Sequence, residues 1–359
     1  MPLTVIPDVR TPAPDDAMPA NGGRCGPWLV ADIGGTNARF GWVDSASRGS
    51  AAAGFVPDLI GRYSVSEFAT VEDATAAYLA EVAALLGARY APPQQAAFAV
   101  ATAVRGDIVA FTNSPWRFSR GSLQSRLQVN ALWVLNDFEA LALSLPGLTA
   151  AQLRVHGVAL SCPPAGTLAV IGPGTGLGVA GVVQTPSGWV ALAGEGGHVT
   201  LAASDDFEAE LLAVLRRAYP HVSAERVLSG LGLPLLYGAV ATVIGRAGEE
   251  ANAPDAQQIV ERGLAKTDRV CDRVLDVFCR LLGAFAGNMA LTLGARGGVY
   301  IGGGIVPRLG ERFFASDFRR CFEAKGRFES YLKAIPTAVI TDTSAALSGA
   351  ALAIEQNSR

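Results

Sequence analysis

The chain is expected to be an α/β protein of two domains, and three observations predict it. Strand-like apolar runs alternate with helical patterns, a glycine-rich strand–turn–strand segment occurs twice, and the 359 residues, half of them hydrophobic, are more than one core holds. Single hydrophobic cores stop growing at roughly 250 to 300 residues, so a chain of this length divides.

Apolar runs bounded by Gly, Pro or Asn read as strands: WLVADIGG, AAFAVATAV, IVAFTN, ALWVLND, GTLAVIGPG, GWVALAG, GVYIGGG and PTAVIT. Between them, helical spacing covers 71–87, 205–219 and 267–294; in the last of these Val270, Val274, Val277, Phe278 and Leu281 recur on one face. Strands interleaved with helices imply α/β layering. The segments divide into a flexible tail (1–26), a small α/β domain (27–147 with 340–359) and a large one (148–339).

Composition narrows the partners. With 29 basic and 32 acidic residues the net charge is -3, which provides no general field for nucleic acid or an anionic membrane, so a small-molecule partner is expected. Five scattered cysteines (Cys25, Cys162, Cys271, Cys279, Cys321) without a C-x-x-C pair make a poor disulfide framework and suggest a reduced, cytoplasmic protein; Cys271 and Cys279 read as packing residues. Residues 1–26 are rich in Pro, Ala and Gly and lack a basic start and an apolar core, unlike a signal peptide. No uninterrupted apolar run reaches membrane-spanning length; LLGAFAGNMALTLG is broken by Asn288 and glycines.

The repeated segment carries the first functional signal. IGGTNARFGWV (33–43) and IGPGTGLGVAGVV (171–183) each consist of a strand, a Gly/Thr turn and a second strand, which suggests an internal duplication with a cleft between the halves. Such turns expose consecutive backbone N–H groups and a Thr hydroxyl, a concave site for phosphate. Asp32, just before the first turn, would repel a bare phosphate; a divalent cation, Mg²⁺, held between them through water resolves the conflict. Capping of the turn by Asp32 is the competing reading. A third segment, GGVYIGGGIVPR (297–308), ends a strand in Gly302, Gly303 and Gly304, where backbone can approach a flat ring; a plain strand-to-helix turn would look the same.

The acceptor side lies elsewhere. ALWVLNDFEALALSLPG runs from a strand into Asn136 and Asp137 and then a helix, placing polar groups at a strand's carboxyl end, where open α/β sheets bind ligands. Helix capping suits the same two residues. GEGGH presents Glu195 and His198 on a glycine-rich loop, with only His156 and His221 elsewhere in the chain, so hydrogen bonding to vicinal hydroxyls, as in a sugar, fits better than metal ligation. Glu225 opens an expected helix begun by Ser223, where interaction with the helix dipole is the plain alternative.

Together, DIGGTNAR, NDFEALALSLP, GPGTGLGVA, GEGGHV, HVSAERVLSGLGL and GGVYIGGGIVPR resemble the bacterial glucokinases of the hexokinase, actin and heat-shock ATPase superfamily, over about Trp28 to Ala353. The resemblance implies a two-domain actin-like ATPase (ribonuclease H-like) fold with a cleft between the domains. It implies that Ala31, Asp32, Ile33, Gly34, Gly35 and Thr36, with Gly174, Thr175 and Gly176, hold the phosphates of ATP, and that Gly302, Gly303 and Gly304 lie near its adenosine. Asn136, Asp137, Glu195, His198 and Glu225 would bind D-glucose, Asp137 as general base for the C6 hydroxyl. A homodimer is implied as well. Pro173 stands where relatives often have Ala, and residues 1–26 lie outside the pattern. The related repressors and sugar kinases of the fold usually carry clustered zinc-binding cysteines beside the sugar-loop histidine; no cysteine is near His198 in the sequence, which favours the zinc-free branch. The expected reaction aligns the sugar hydroxyl with the γ-phosphate as the domains close, suppressing wasteful hydrolysis. Two rivals are a non-catalytic sugar sensor and an ATPase acting on protein partners.

Overall fold

A computed structural model describes residues 4–5, 26–44, 55–111, 114–161, 164–246 and 253–358. The chain forms two compact units, Met1–Leu148 with Thr343–Arg359, and Thr149–Asp342. In the first, the strands are β1 (Thr4–Val5), β2 (Trp28–Ile33), β3 (Asn37–Val43), β4 (Leu59–Ser64), β5 (Gln95–Val100), β6 (Ile108–Ala110), β7 (Arg117–Ser119) and β8 (Ala131–Asn136). In the second they are β9 (Leu153–His156), β10 (Leu168–Pro173), β11 (Leu177–Thr185), β12 (Gly188–Leu192), β13 (Gly298–Ile301) and β14 (Thr337–Ile340).

Each unit has one six-stranded sheet, in the order β1-β4-β3-β2-β5-β8 in the first and β12-β11-β10-β13-β14-β9 in the second. Without the outer strands β1 and β9, both run third, second, first, fourth, fifth. The first three strands are antiparallel neighbours; the fourth and fifth join parallel to the first. The duplication read from two hairpins therefore extends through both sheets.

Sheets buried on both faces need near-continuous apolar strands. β10 is buried throughout, and β2 at every residue but Asp32. In the first unit Ala31, Ile33, Phe40, Tyr63 and Phe98 pack with Tyr78 and Val82 of the helix Val71–Leu86. The other face takes the C-terminal helix Ala345–Asn357, which also packs along the helix Asp137–Ser144. In the second unit the 25-residue helix Arg269–Leu293 runs through the core; it is long and apolar enough to cross a membrane, but 72% of its apolar window is buried inside the fold. Among the described residues no other helix has that length and apolarity. Asp268 caps it by accepting from the N–H groups of Val270 and Cys271, and burial pushes the Cys271 and Cys279 thiols up to about 12, in keeping with packing roles.

Some elements differ from expectation. Thr4–Val5, within the expected tail, pair with Leu59 and Ile60 at the sheet edge; the rest of residues 1–25, with Cys25 and Cys162, lie outside the described residues. Strands β4 and β9 and the helices Leu233–Val243 and Ala256–Leu264 have no counterpart in the sequence reading. The helix expected at Ser223 is absent: Ser223 bridges Thr200, and Ser223 Oγ accepts from the Arg226 N–H in a turn ahead of Gly230 and Gly232.

The seam between the helices Asp137–Ser144 and Ala345–Asn357 sets a stability prediction. A Cβ on Gly349 would land on the carbonyl of Ala140, in the helix that begins at Asp137. Gly349→Ala is expected to cost about 1–3 kcal/mol by overpacking, measured as a lowered urea midpoint.

Candidate active site

Parallel pairing brings the first unit's functional groups to one sheet edge. Asp32 on β2 registers with Ala99 on β5, whose neighbour Val100 registers with Asn136 at the end of β8. The two-residue alternation of a strand turns Ala31 and Ile33 into the core, both 0% exposed, with their backbones in the sheet ladder, while Asp32 faces the other side. Burial of these two side chains leaves Asp32 as the one residue of the strand's end whose side chain is partly exposed beside the turn. The turn that follows is closed by Gly34 N–H donating to Asn37 O at 2.9 Å, and the N–H groups of Gly35 and Thr36 make no hydrogen bond among the described residues. These are the donors an anion site requires.

Asp32 is only 15% exposed, and its Oδ2 accepts from Arg39 Nη1 at 3.0 Å across the hairpin. Burial raises its pKa, partly offset by that guanidinium. Asp137 is the first residue of the helix Asp137–Ser144, capped by Asn136, whose Oδ1 accepts from Phe138 N–H at 2.9 Å while Glu139 accepts from the Asn136 N–H at 3.3 Å. Asn136 Nδ2 also donates to Thr102 O at 3.3 Å, so the capping reading holds for Asn136, which keeps one amide proton for a ligand. The Asp137 carboxyl is pushed up to about 7, first by burial and then by repulsion from Asp32, against the pull of the local N–H groups. A carboxylate in that range can accept a proton near neutral pH.

The second unit gathers three glycine-rich segments and Glu225 around the carboxyl ends of β10 and β13. Gly174, Thr175 and Gly176 turn tightly, with Gly174 N–H donating to Gly176 O at 2.9 Å; Thr175 and Gly176 N–H make no hydrogen bond among the described residues. Gly302 N–H donates to Ile171 O at 2.8 Å, and Gly303, at φ 75°, lies on the Pro173 carbonyl, where only glycine has both the backbone freedom and the space. Gly304 follows in open space before the short helix Ile305–Leu309.

Glu195 and His198 bracket a single 3-10 turn, closed by His198 N–H donating to Glu195 O at 3.0 Å. Gly197 in this turn packs on the Leu177 carbonyl so closely that a Cβ would collide with it. Glu225 links the two segments: its Oε2 accepts from Leu177 N–H at 2.9 Å, and its Oε1 is 3.9 Å from His198 Nε2. Its N–H donates to Gly197 O at 2.8 Å. The alternative helix-dipole reading of Glu225 gives way to a bond to the turn after Gly176, since no helix starts there. The side chains of His198 and Glu225 stay 60% and 34% exposed, and the described residues hold no cluster of three His, Cys, Asp or Glu that could cage a metal.

Sequence reading missed Arg39 and Thr102. Arg39 had a signal, since a hairpin closing Ile33 on Ala38 puts residue 39 opposite residue 32; Thr102 had none, because its carbonyl meets Asn136 through tertiary packing.

The chain matches the model of the Glucokinase family over residues 29–357. It is 49% identical over 330 residues to the glucokinase of Aromatoleum aromaticum, covering 92% of this chain and 95% of that one. A crystal structure of glucokinase from an Antarctic psychrotroph aligns with TM-score 0.82 and 37% identity, over 92% of this chain and 99% of that one. A ROK family glucokinase from Streptomyces griseus, in complex with glucose and AMPPNP, shares the fold at TM-score 0.55 and 19% identity, over 91% and 98% of the two chains.

The raised Asp137 carboxyl predicts a pH-dependent stability. Its folded pKa of about 7 exceeds the ordinary 3.8, so its stabilising contribution is complete below 3.8 and is lost as the pH rises through 7. Asp137→Asn, which keeps the shape and removes the charge, should raise the melting temperature at pH 8 by about 2 °C or more, with the gain shrinking towards pH 4.

Proposed function

The chain belongs to the glucokinase family, and on that premise we propose that Asp137 is the general base in transfer of the γ-phosphoryl group of ATP to the C6 hydroxyl of D-glucose. The protein is an ATP-dependent hexose kinase with the two-domain actin-like ATPase fold. The observation that carries the base assignment is the half-buried Asp137 carboxyl, pushed up to about 7 at the head of a capped helix.

Phosphoryl transfer asks a protein chiefly for position and for compensation of charge. The first unit would supply the base and one phosphate turn, Gly34 to Thr36. The second would supply a phosphate turn at Gly174 to Gly176 and the hydroxyl-binding groups Glu195, His198 and Glu225, with Gly302 to Gly304 against the adenosine. Asn136 holds the helix start that carries Asp137 and offers its remaining amide proton to the sugar. A primary sugar hydroxyl is far less acidic than a carboxylic acid, so Asp137 accepts its proton late, and alignment matters more than basicity.

Mg²⁺ carried by ATP fits this site better than a resident metal. The described residues lack an all-protein cage, whereas Asp32 and Asp137 concentrate poorly solvated negative charge with Arg39 as the cation paired to Asp32. Asp32 would hold the ion through water, and the ion would supply positive charge towards the phosphates.

Coupled detection of glucose 6-phosphate tests the reading against a non-catalytic sugar sensor. Asp137→Ala should retain glucose binding by calorimetry while turnover falls by at least ~10²-fold, the usual scale of a general base; near-normal turnover would remove the assignment. Glu195→Gln or His198→Ala should chiefly raise the glucose KM, and a rise confined to the ATP KM would place those residues on the other substrate. The homodimer implied by family likeness belongs to the same proposal, and light scattering at the mass of a single chain would remove it.

A further inference from the structure

We propose that Arg62, acting through Asn37, aims the Thr36 hydroxyl proton at a phosphate oxygen of ATP, which makes Arg62 and Asn37 positioning residues for the nucleotide. The inference rests on the reading that the Gly34–Thr36 turn takes a phosphate.

Hydrogen-bond chemistry fixes the direction of the chain. A guanidinium donates and never accepts, so the Asn37 atom that meets Arg62 Nε at 3.1 Å is the amide oxygen. The Asn37 nitrogen must then face the other way, where Nδ2 donates to Thr36 Oγ1 at 2.9 Å. A hydroxyl has one proton and two lone pairs. With one lone pair taken by Asn37, the proton of Thr36 remains to be donated, in the same turn as the unpaired N–H groups of Gly35 and Thr36.

The sheet holds the relay in place. Asn37 registers with Ser64 and Arg39 with Arg62, so Arg62 reaches Asn37 on the diagonal of adjacent antiparallel strands, and Val65 N–H donates to Thr36 O at 3.0 Å just beyond β4. Arg39 in the same row is already occupied by Asp32. Without Arg62, the Asn37 amide is free to turn over and present its oxygen to Thr36, which would draw the hydroxyl proton away from the ligand.

The test varies ATP at saturating glucose with the full chain. Thr36→Ala should raise the ATP KM about 10-fold or more, the scale of a hydrogen bond to a charged group. Asn37→Asp, which can only accept from the hydroxyl, should do at least as much, and Arg62→Met should raise it about 3-fold. Arg62→Lys, still a donor, should recover part of that loss, while the glucose KM stays within about 2-fold throughout. The deciding measurement is Arg62→Met in the Thr36→Ala background, where no further rise is expected because the hydroxyl it orients is gone. An equal rise in both backgrounds would overturn the relay. If Thr36→Ala raises the ATP KM but Asn37→Asp and Arg62→Met do not, the relay alone fails; an unchanged ATP KM in Thr36→Ala removes the phosphate reading of the turn as well. Arg62 is exposed, so its variants are expected to fold, as thermal unfolding would verify.

Discussion

Parallel pairing of β2, β5 and β8 is the constraint on which the first unit's chemistry depends. Parallel strands start together and finish together, so whatever follows their carboxyl ends shares one edge of the sheet. That edge holds Asp32, the Gly34–Thr36 turn, Thr102, Asn136 and Asp137, from segments more than a hundred residues apart in the chain. An antiparallel β8 would have put its Asn-Asp pair at the opposite end. The second unit repeats the order, and its glycine-rich turns accordingly gather at the ends of β10 and β13.

The same arrangement has an energetic cost. Asp32 and Asp137 are drawn from water close enough for one to raise the pKa of the other, and the nearby compensation consists of Arg39 and the N–H groups at the start of a helix. Stability alone would favour neutral residues there. The charge fits the roles proposed for the pair, since a general base and a neighbour for a nucleotide-bound cation both require carboxylates. Asn136 bridges the two demands by capping the helix with one side-chain atom and keeping a donor on the other.

In the second unit, rigidity comes from close backbone approach. Gly197 lies on the Leu177 carbonyl, Gly303 on Pro173, and Glu225 joins the turn after Gly176 to the loop of His198. Each contact links segments far apart in sequence, and each closes a space that a side chain would fill. The loops are therefore packed on one another, which would preorganise them for the ligand-binding roles proposed above.

Much of this was legible in the sequence, because some signals are local. Apolar runs ending in glycine marked the inner strands, 3.6-residue periodicity marked the helices at 71–86 and 269–293, and two Gly/Thr turns disclosed the duplication. Short strands such as β4 and β9 escaped because their partners, not their composition, make them strands. Alternation within β2 separated Asp32 from Ala31 and Ile33, a distinction that needed the strand's two packed faces to be known. The helix expected at Ser223 failed because Glu225 is held by Leu177, nearly fifty residues away. The sequence by itself determined the fold class, the duplicated turns and which residue types could do chemistry. Only the tertiary structure decided which groups are buried, which carboxylates repel each other and which amide atom faces Thr36, because burial and charge coupling are properties of neighbours brought together through space.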